Sequence, residues 1–403
     1  MAIAMGERPV ANDGQVVGGG EIAAKVERFV RETIVPYERD ARWTAHGPST
    51  EMQAEMRTLA RAAGLVTPHV TASGRHYSHR DTALILRAAG LSPLGPVALN
   101  VAAPDEGNMF LLGKVASPGQ KEKFLWPLLA GATRSAFMMT EPAEDNGAGS
   151  DPSMLRTTAE LDGDHWVING RKCFSTGLLG ATMAIVMART GASATMFLVQ
   201  LPNPAITIER VPETMDSALP GGHPTSRIEN LRVPQEAVLG GIGEGFKYAQ
   251  LRLAPARLTH CMRWLGACTR AQEIAEEYAV KRQAFGRPLI DHEGVGFMLA
   301  ENRIALKQCE LMIEWCAGVL DDGAAGTLES SMTKVSVSQA LFEIADRCVQ
   351  VMGGSGLTRD TIVEQVFREV RAFRIYDGPT EVHKWSLAKS IKREALARLQ
   401  LRQ

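Results

Sequence analysis

The chain has 403 residues, 45% hydrophobic and 22% charged, with a formal net charge of −1. At roughly 150 residues per domain this length predicts two or three domains, and the hydrophobic content excludes a disordered chain. Near-neutrality leaves no basic surplus for phosphate contacts, which argues against a nucleic-acid binder, and no apolar run approaches the roughly 18–20 residues of a membrane span.

The six cysteines, Cys173, Cys261, Cys268, Cys309, Cys316 and Cys348, form no C-x-x-C pair. That favours reduced thiols and a cytoplasmic setting over disulfides or a zinc ribbon. Residues 1–20 contain Asn12-Asp13-Gly14 and Gly18-Gly19-Gly20 and lack a basic segment followed by an apolar one. They predict a flexible leader, not a secretory signal.

From Glu21 the pattern turns helical, with Ile22, Val26, Phe29 and Val30 at spacings of three and four until Pro36. Further helical stretches around Glu51–Ala63, His79–Ala89 and Glu122–Leu129 make residues 21–132 an N-terminal helical domain. Residues 133–238 read as a middle β-domain. Its predicted strands are Ala136–Met139, His165–Ile168, Ala184–Ala188, Thr195–Leu201, Ile206–Val211 and Ser226–Val233. Asn169-Gly170 is a strong hairpin signal, and strands without intervening helices suggest an antiparallel sandwich or barrel, not a βαβ series. Residues 239–403 return to helix, over Phe246–Arg282 with a kink at Pro255, His292–Leu320, Thr327–Met352 and Glu381–Leu399. The predicted class is α+β, mainly α, with a helical domain, a central antiparallel β-domain and a C-terminal helix bundle.

Taken singly, the local signals are bland. Gly241-Ile242-Gly243-Glu244-Gly245 lacks the dinucleotide spacing and any surrounding βαβ unit, so it reads as a flexible helix entry. Gly353-Gly354-Ser355-Gly356 suits a helix C-cap turn. His69, His76 and His79 have no nearby cysteine or carboxylate to complete a metal site, so no metal is expected. The basic residues from Lys384 to Arg402 fit a solvated helix face. Asp377-Gly378-Pro379 alone would be a turn.

Its surroundings say more. Arg368-Glu369-Val370-Arg371 and Arg374-Ile375-Tyr376-Asp377-Gly378-Pro379-Thr380-Glu381 resemble the C-terminal signature of the acyl-CoA dehydrogenase family. Four further regions agree in order. Phe137-Met138-Met139-Thr140-Glu141-Pro142 with Gly147-Ala148-Gly149-Ser150-Asp151 resembles the first flavin segment, and Asn169 to Thr176 the second. Arg282-Gln283-Ala284-Phe285-Gly286 and Gln350-Val351-Met352-Gly353-Gly354 resemble the Arg-x-x-Phe-Gly and Gln-x-x-Gly-Gly motifs. Within the family, the Asp-Gly-Pro-x-Glu-Val-His ending and Arg257 to Arg263 resemble the subgroup of acyl-CoA dehydrogenase family member 11.

The resemblance implies a noncovalent FAD. Phe137, Met139 and Thr140 would line its ring, and Phe174, Ser175 and Thr176 would lie towards its N5 edge. Arg282, Phe285, His292, Gln350, Gly353 and Gly354 would hold the remainder, some of them across a subunit boundary of a homodimer or homotetramer. Thr380 and Glu381 would also meet the cofactor. Ser150, Arg257 and Gly378 correspond to acyl-CoA contacts, and Asp377 to the catalytic base. The implied reaction converts an acyl-CoA to the trans-2-enoyl-CoA, with an electron-transfer flavoprotein as the electron acceptor. An oxidase or monooxygenase on the same fold, and a non-catalytic acyl-CoA-binding subunit, are the alternatives. There are departures from the family pattern: Ala143-Glu144-Asp145-Asn146 is inserted, His292 replaces a glutamine, Asp377 replaces glutamate and Pro379 replaces threonine.

The chemistry asks for a positioned base, since the flavin supplies the hydride acceptor that no side chain can. A carboxylate in an apolar, water-poor site becomes a better base near neutrality. Aspartate is one methylene shorter than glutamate, and a misplacement of about 1 Å can cost on the order of a hundredfold. The backbone or the substrate is therefore expected to sit differently here.

Overall fold

The computed structural model describes residues 18–401. Most of the expected leader, and Arg402, lie outside them. Gly19 and Gly20 do not belong to a leader: the first helix, α1, spans Gly19–Phe29. Its Val26 and Phe29 are buried, and that apolar face carries the helix back through the glycines.

The residues form two compact units. One holds the chain through Tyr77 and Leu94–Leu253, the other Ser78–Pro93 and Ala254 onward. In the first unit, α1 is followed by α2 (Thr50–Ala62), whose Ser49 caps the Met52 amide. The second unit takes the next helix, α3 (His79–Ala89).

A helix absent from the sequence reading, α4, spans Asp105–Val115 in the first unit. Asp105, Glu106, Gly107 and Asn108 are buried as fully as Met109, Leu111 and Leu112. With no polar face exposed, it carries no amphipathic period to read.

The β-domain has seven strands: β1 (Ser135–Met138), β2 (Thr158–Asp162), β3 (His165–Lys172), β4 (Met183–Thr190), β5 (Ser193–Gln200), β6 (Ile206–Arg210) and β7 (Thr225–Pro234). Their order is β1-β4-β2-β3-β7-β6, with β5 pairing β4. The pairings are antiparallel except that β1 and β2 both run parallel to β4. β4 is buried on both faces. Met183, Ile185 and Met187 pack with Met109 and Leu112 of α4, while Ala184, Val186 and Ala188 pack with Trp166 and Phe197. This is period-two alternation with an apolar partner on each side.

Asn169-Gly170 is not a hairpin. β3 continues through it, and the register against β7 shifts between Ile168 and Gly170, a bulge. A Cβ on Gly170 would meet Thr157 Oγ1 at 2.4 Å. Asn169 Oδ1 accepts the Asn230 amide at 2.7 Å. Two neighbouring strands thus override the local turn preference, and the β2–β3 turn falls at Gly163, where φ is +62°.

α5 runs over Gly245–Lys281 with Pro255 inside it. The second unit continues with α6 (Glu293–Asp321), α7 (Thr327–Met352), α8 (Val363–Phe373) and α9 (Thr380–Gln400). α8 is a second helix beyond the sequence reading. α3 is locked to this bundle: the Asp321 carboxylate accepts the His79 and Arg80 amides at 2.6 and 3.1 Å, and Arg87 pairs with Glu310. These bonds satisfy amides that a helix start leaves unpaired. All six cysteines are free and buried, and no described helix is long and apolar enough to cross a membrane.

Candidate active site

Asp377 lies between α8 and α9 with φ +53°, next to Gly378 at φ +99°. Left-handed backbone is unusual for a residue with a side chain, and aspartate is among the types that tolerate it.

Three buried cationic or imidazole side chains pin that turn through its carbonyls. Arg257 Nε of α5 donates to the Asp377 carbonyl at 3.1 Å, and His383 Nε2 of α9 lies 3.1 Å from the same oxygen. Lys334 Nζ of α7 donates to the Gly378 carbonyl at 2.5 Å. Burial pushes the Lys334 ammonium down to about 8 against the pull of Asp377. It pushes His383 down to about 4, with Arg257 and Lys334 acting in the same direction, so His383 is neutral at pH 7.

The carboxylate has its own neighbour. His260 Nε2 of α5 stands 3.4 Å from Asp377 Oδ2, with side-chain exposures of 7% and 23%. Asp377 therefore does not point into bulk solvent. Its surroundings are not the apolar pocket expected from sequence, because Arg257, His260 and Lys334 sit beside the aromatic Phe373 and Tyr376.

Gly378 is required by space as well as by φ. A Cβ there would lie 2.6 Å from His383 Nε2. Gly378→Ala is expected to displace His383 and strain the turn, costing about 1–3 kcal/mol. Thermal unfolding checks the stability loss, and turnover is expected to fall with it.

The remaining expected site residues fall into groups. In the first unit, Phe137 ends a buried chain that sequence reasoning missed. Asp105 Oδ1 accepts the Ser135 amide and hydroxyl at 2.7 and 2.6 Å, Asn108 Nδ2 donates to Ser135 Oγ at 2.9 Å, and Arg252 Nε donates to Asn108 Oδ1 at 2.8 Å. The Arg252 guanidinium then covers the Phe137 ring at 4.1 Å. Burial raises the Asp105 pKa, opposed by Arg134 and Ser135.

Met139 and Thr140 are half-buried beyond β1, and the Thr140 carbonyl accepts the Cys173 amide at 2.9 Å. Past β3, Phe174 is 59% exposed, with φ +50°. Ser175 Oγ is buried with no hydrogen-bond partner. Thr176 Oγ1 lies 2.9 Å from His223 Nδ1, whose Nε2 lies 2.9 Å from Asp216. An orphaned buried hydroxyl between an exposed aromatic and a hydroxyl–imidazole–carboxylate relay fits a large planar group with polar edges. Ser150 is exposed, and the inserted residues form one tight turn, Ala143–Asp145, tied to Arg171 by Asp145 at 2.6 Å.

In the second unit, Arg282 leads into a small hairpin, Gln283–Ala284 against Arg287–Pro288, with Phe285 at its tip. Phe285 is 94% exposed, with its ring edge-on to His292 at 6.0 Å, and His292 Nε2 lies 3.0 Å from the Ala284 carbonyl. Gln350, Gly353 and Gly354 are exposed at the end of α7. Both groups are on the surface, unlike the buried Asp377 cluster. Thr380 is buried, with its amide and hydroxyl on the Arg374 carbonyl at 3.2 and 3.4 Å, and Glu381 is exposed.

Comparison with known proteins places this geometry. Residues 243–392 match the family model for the acyl-CoA dehydrogenase C-terminal domain, and 136–226 that for the middle domain. Acyl-CoA dehydrogenase family member 11 of Gallus gallus is 33% identical over 392 residues, 92% of this chain and 50% of that protein. "Probable acyl-CoA dehydrogenase FadE2" of Mycobacterium tuberculosis is 37% identical over 349 residues, 83% of this chain and 84% of that one. The chain thus spans about half the length of the family member 11 proteins it matches. Among solved structures, a Mycobacterium abscessus protein assigned as an acyl-CoA dehydrogenase superimposes with a TM-score of 0.84 at 33% identity, covering 94% of this chain and 98% of that one. A glutaryl-CoA dehydrogenase from Mycobacterium smegmatis in complex with FADH2 gives 0.83 at 25% identity, covering 95% of each. With both family domains matched in the order that its motifs and its helix–sheet–helix plan require, the chain belongs to the acyl-CoA dehydrogenase family.

Proposed function

We propose that the protein is an FAD-dependent acyl-CoA dehydrogenase that oxidises an acyl-CoA thioester to its trans-2-enoyl-CoA. FAD, when bound, supplies the acceptor for the β-hydride. The residues that would hold it are Phe137, Met139, Thr140 and Phe174–Thr176, with Arg282, Phe285, His292, Gln350, Gly353, Gly354, Thr380 and Glu381. The fit rests on the exposed Phe174 and the orphaned Ser175 Oγ.

Asp377 takes the substrate α-proton onto its carboxylate. One observation carries this: the acid stands 3.4 Å from His260 Nε2 on a turn whose carbonyls are pinned by three buried side chains, in the segment matching the family's base motif. A base fixed before the substrate arrives needs no reorganisation during proton transfer. Ser150, Arg257 and Gly378 belong to the thioester side of the site.

An electron-transfer flavoprotein is the proposed electron acceptor. A homodimer or homotetramer is supported by the stripe Phe297, Ile304, Leu311 and Trp315 along α6, 43–62% exposed. Apolar surface spaced along one helix suits a partner copy.

The test is an anaerobic titration of the purified yellow protein with straight, branched and cyclic CoA thioesters, watching the flavin absorbance. At least one thioester is expected to bleach it. A flavin-loaded protein that none of them reduces would overturn the reading.

A further inference from the structure

Of the side chains around Asp377, Arg257, Lys334 and His383 act on main-chain carbonyls. His260 differs: its Nε2 addresses the carboxylate, at 3.4 Å from Oδ2. No motif role falls on it, although it stands one turn beyond Arg257 on α5, on the same helix face.

Its ring is not free to turn. Phe373 lies at 5.7 Å between centroids and Tyr376 at 4.9 Å, both tilted against the imidazole. Tyr376 is itself fixed, because Trp264 Nε1 donates to its hydroxyl at 2.6 Å. With the imidazole wedged and the Asp377 backbone pinned from elsewhere, two torsions of a short side chain remain. His260 is placed to set them.

We propose that His260 is the positioning residue for the Asp377 carboxylate, holding it in the single orientation from which it meets the substrate. This rests on the reading of Asp377 as the base. The division of labour is specific: Arg257, Lys334 and His383 place the backbone, and His260 aims the acid. Aspartate has less reach than glutamate, so its orientation matters more, and a misaimed base loses on the order of a hundredfold per ångström.

The charged and titratable groups around the pair are Arg257 and Cys261 on α5, Lys334 on α7, Tyr376 in the turn, and Glu381 and His383 on α9. They stay in place when His260 is changed. Loss of the imidazole leaves the carboxylate free to turn, so the limiting rate of flavin reduction falls while thioester binding is kept.

The experiment compares His260→Leu and His260→Gln with wild-type holoenzyme and Asp377→Asn. Flavin content, thermal unfolding, and the limiting rate and half-saturating concentration of anaerobic flavin reduction are measured with the best CoA thioester. His260→Leu is expected to keep its flavin, to slow the limiting rate of reduction by about 10- to 100-fold, and to leave the half-saturating thioester concentration within about twofold. His260→Gln, which keeps an N–H group and more of the bulk, is expected to recover part of the rate. A His260→Leu enzyme with the wild-type limiting rate, beside an inactive Asp377→Asn, would overturn the proposal and leave the base reading standing. An Asp377→Asn enzyme reduced as fast as wild type would remove the base reading itself. If His260→Leu does not fold, His260→Gln decides: a limiting rate between those of wild type and Asp377→Asn at unchanged half-saturation supports the positioning role, and a wild-type rate or a loss as large as that of Asp377→Asn overturns it.

Discussion

Asp377→Asn is expected to fold, to keep its flavin and to be reduced by acyl-CoA about 10²- to 10⁴-fold more slowly than wild type. The substitution is nearly isosteric. Asparagine tolerates the φ of +53° at this position as aspartate does. The bonds that hold the turn reach the carbonyls of residues 377 and 378, and a side-chain change leaves those in place. What disappears is the negative oxygen that accepts the α-proton. The amide has no basic lone pair near neutrality, so reduction should fail even with substrate bound. Removing the carboxylate also removes the group that partly offsets the burial holding Lys334 at about 8. The lysine should therefore lose its proton at lower pH in the variant. Anaerobic stopped-flow measurement of flavin reduction, beside a thermal melt, separates lost chemistry from lost fold. Rapid bleaching by the variant would show that another group takes the proton.

How much of this was legible in the sequence depends on whether the signal was local. Helices with one wet face were readable, and Thr327–Met352 falls where its apolar spacing predicts. α4 was not, because Asp105, Glu106 and Asn108 are as buried as its leucines and no period remains. α8 shows Val363, Val366, Val370 and Phe373 at spacings of three, four and three. Taking Arg368–Glu381 as a single signature passes over that helix. β2 buries only Ala159, too little alternation to mark a strand. Asn169-Gly170 looks like a turn, and two neighbouring strands make it a bulge.

The site divides in the same way. Asp377 is legible through its motif, and the turn through Gly378 and Pro379. His260, Lys334 and His383 come from three helices, the first and last of them 123 positions apart in the chain. Only packing brings them to one acid. A buried lysine gives no warning in sequence either, since most lysines are solvated. The chain Asp105–Ser135–Asn108–Arg252 behind Phe137 is hidden for the same reason.

Glu141→Gln should be the most damaging single change to stability, costing about 3–5 kcal/mol. Glu141 and Lys172 form an ion pair of 2.9 Å with side-chain exposures of 1% and 0%. The carboxylate also accepts the Thr157 amide at 2.8 Å, the Arg156 amide at 2.6 Å and the Ala148 amide at 3.3 Å, while Lys172 Nζ reaches the Met139 carbonyl at 3.1 Å. One buried acid thus ties together the segments that carry Met139, Thr140 and Phe174. Glutamine keeps a single acceptor oxygen, turns an NH2 group towards amide donors, and leaves the ammonium buried without a counter-charge. Lys172→Met should cost less, because the three backbone amides still satisfy the carboxylate. Burial alone would raise the Glu141 pKa, but Lys172 and its hydrogen bonds hold it below the ordinary 4.5. Its contribution is therefore fully present above about 4.5 and is lost as the pH falls through the lower folded-state value. The gap between wild type and Glu141→Gln should be widest near neutrality and close in acid. In the same variant the flavin should dissociate more readily. A drop in Tm of roughly 10 °C near neutrality is expected, and a loss under about 1 kcal/mol there would show that this pair does not hold the segments together.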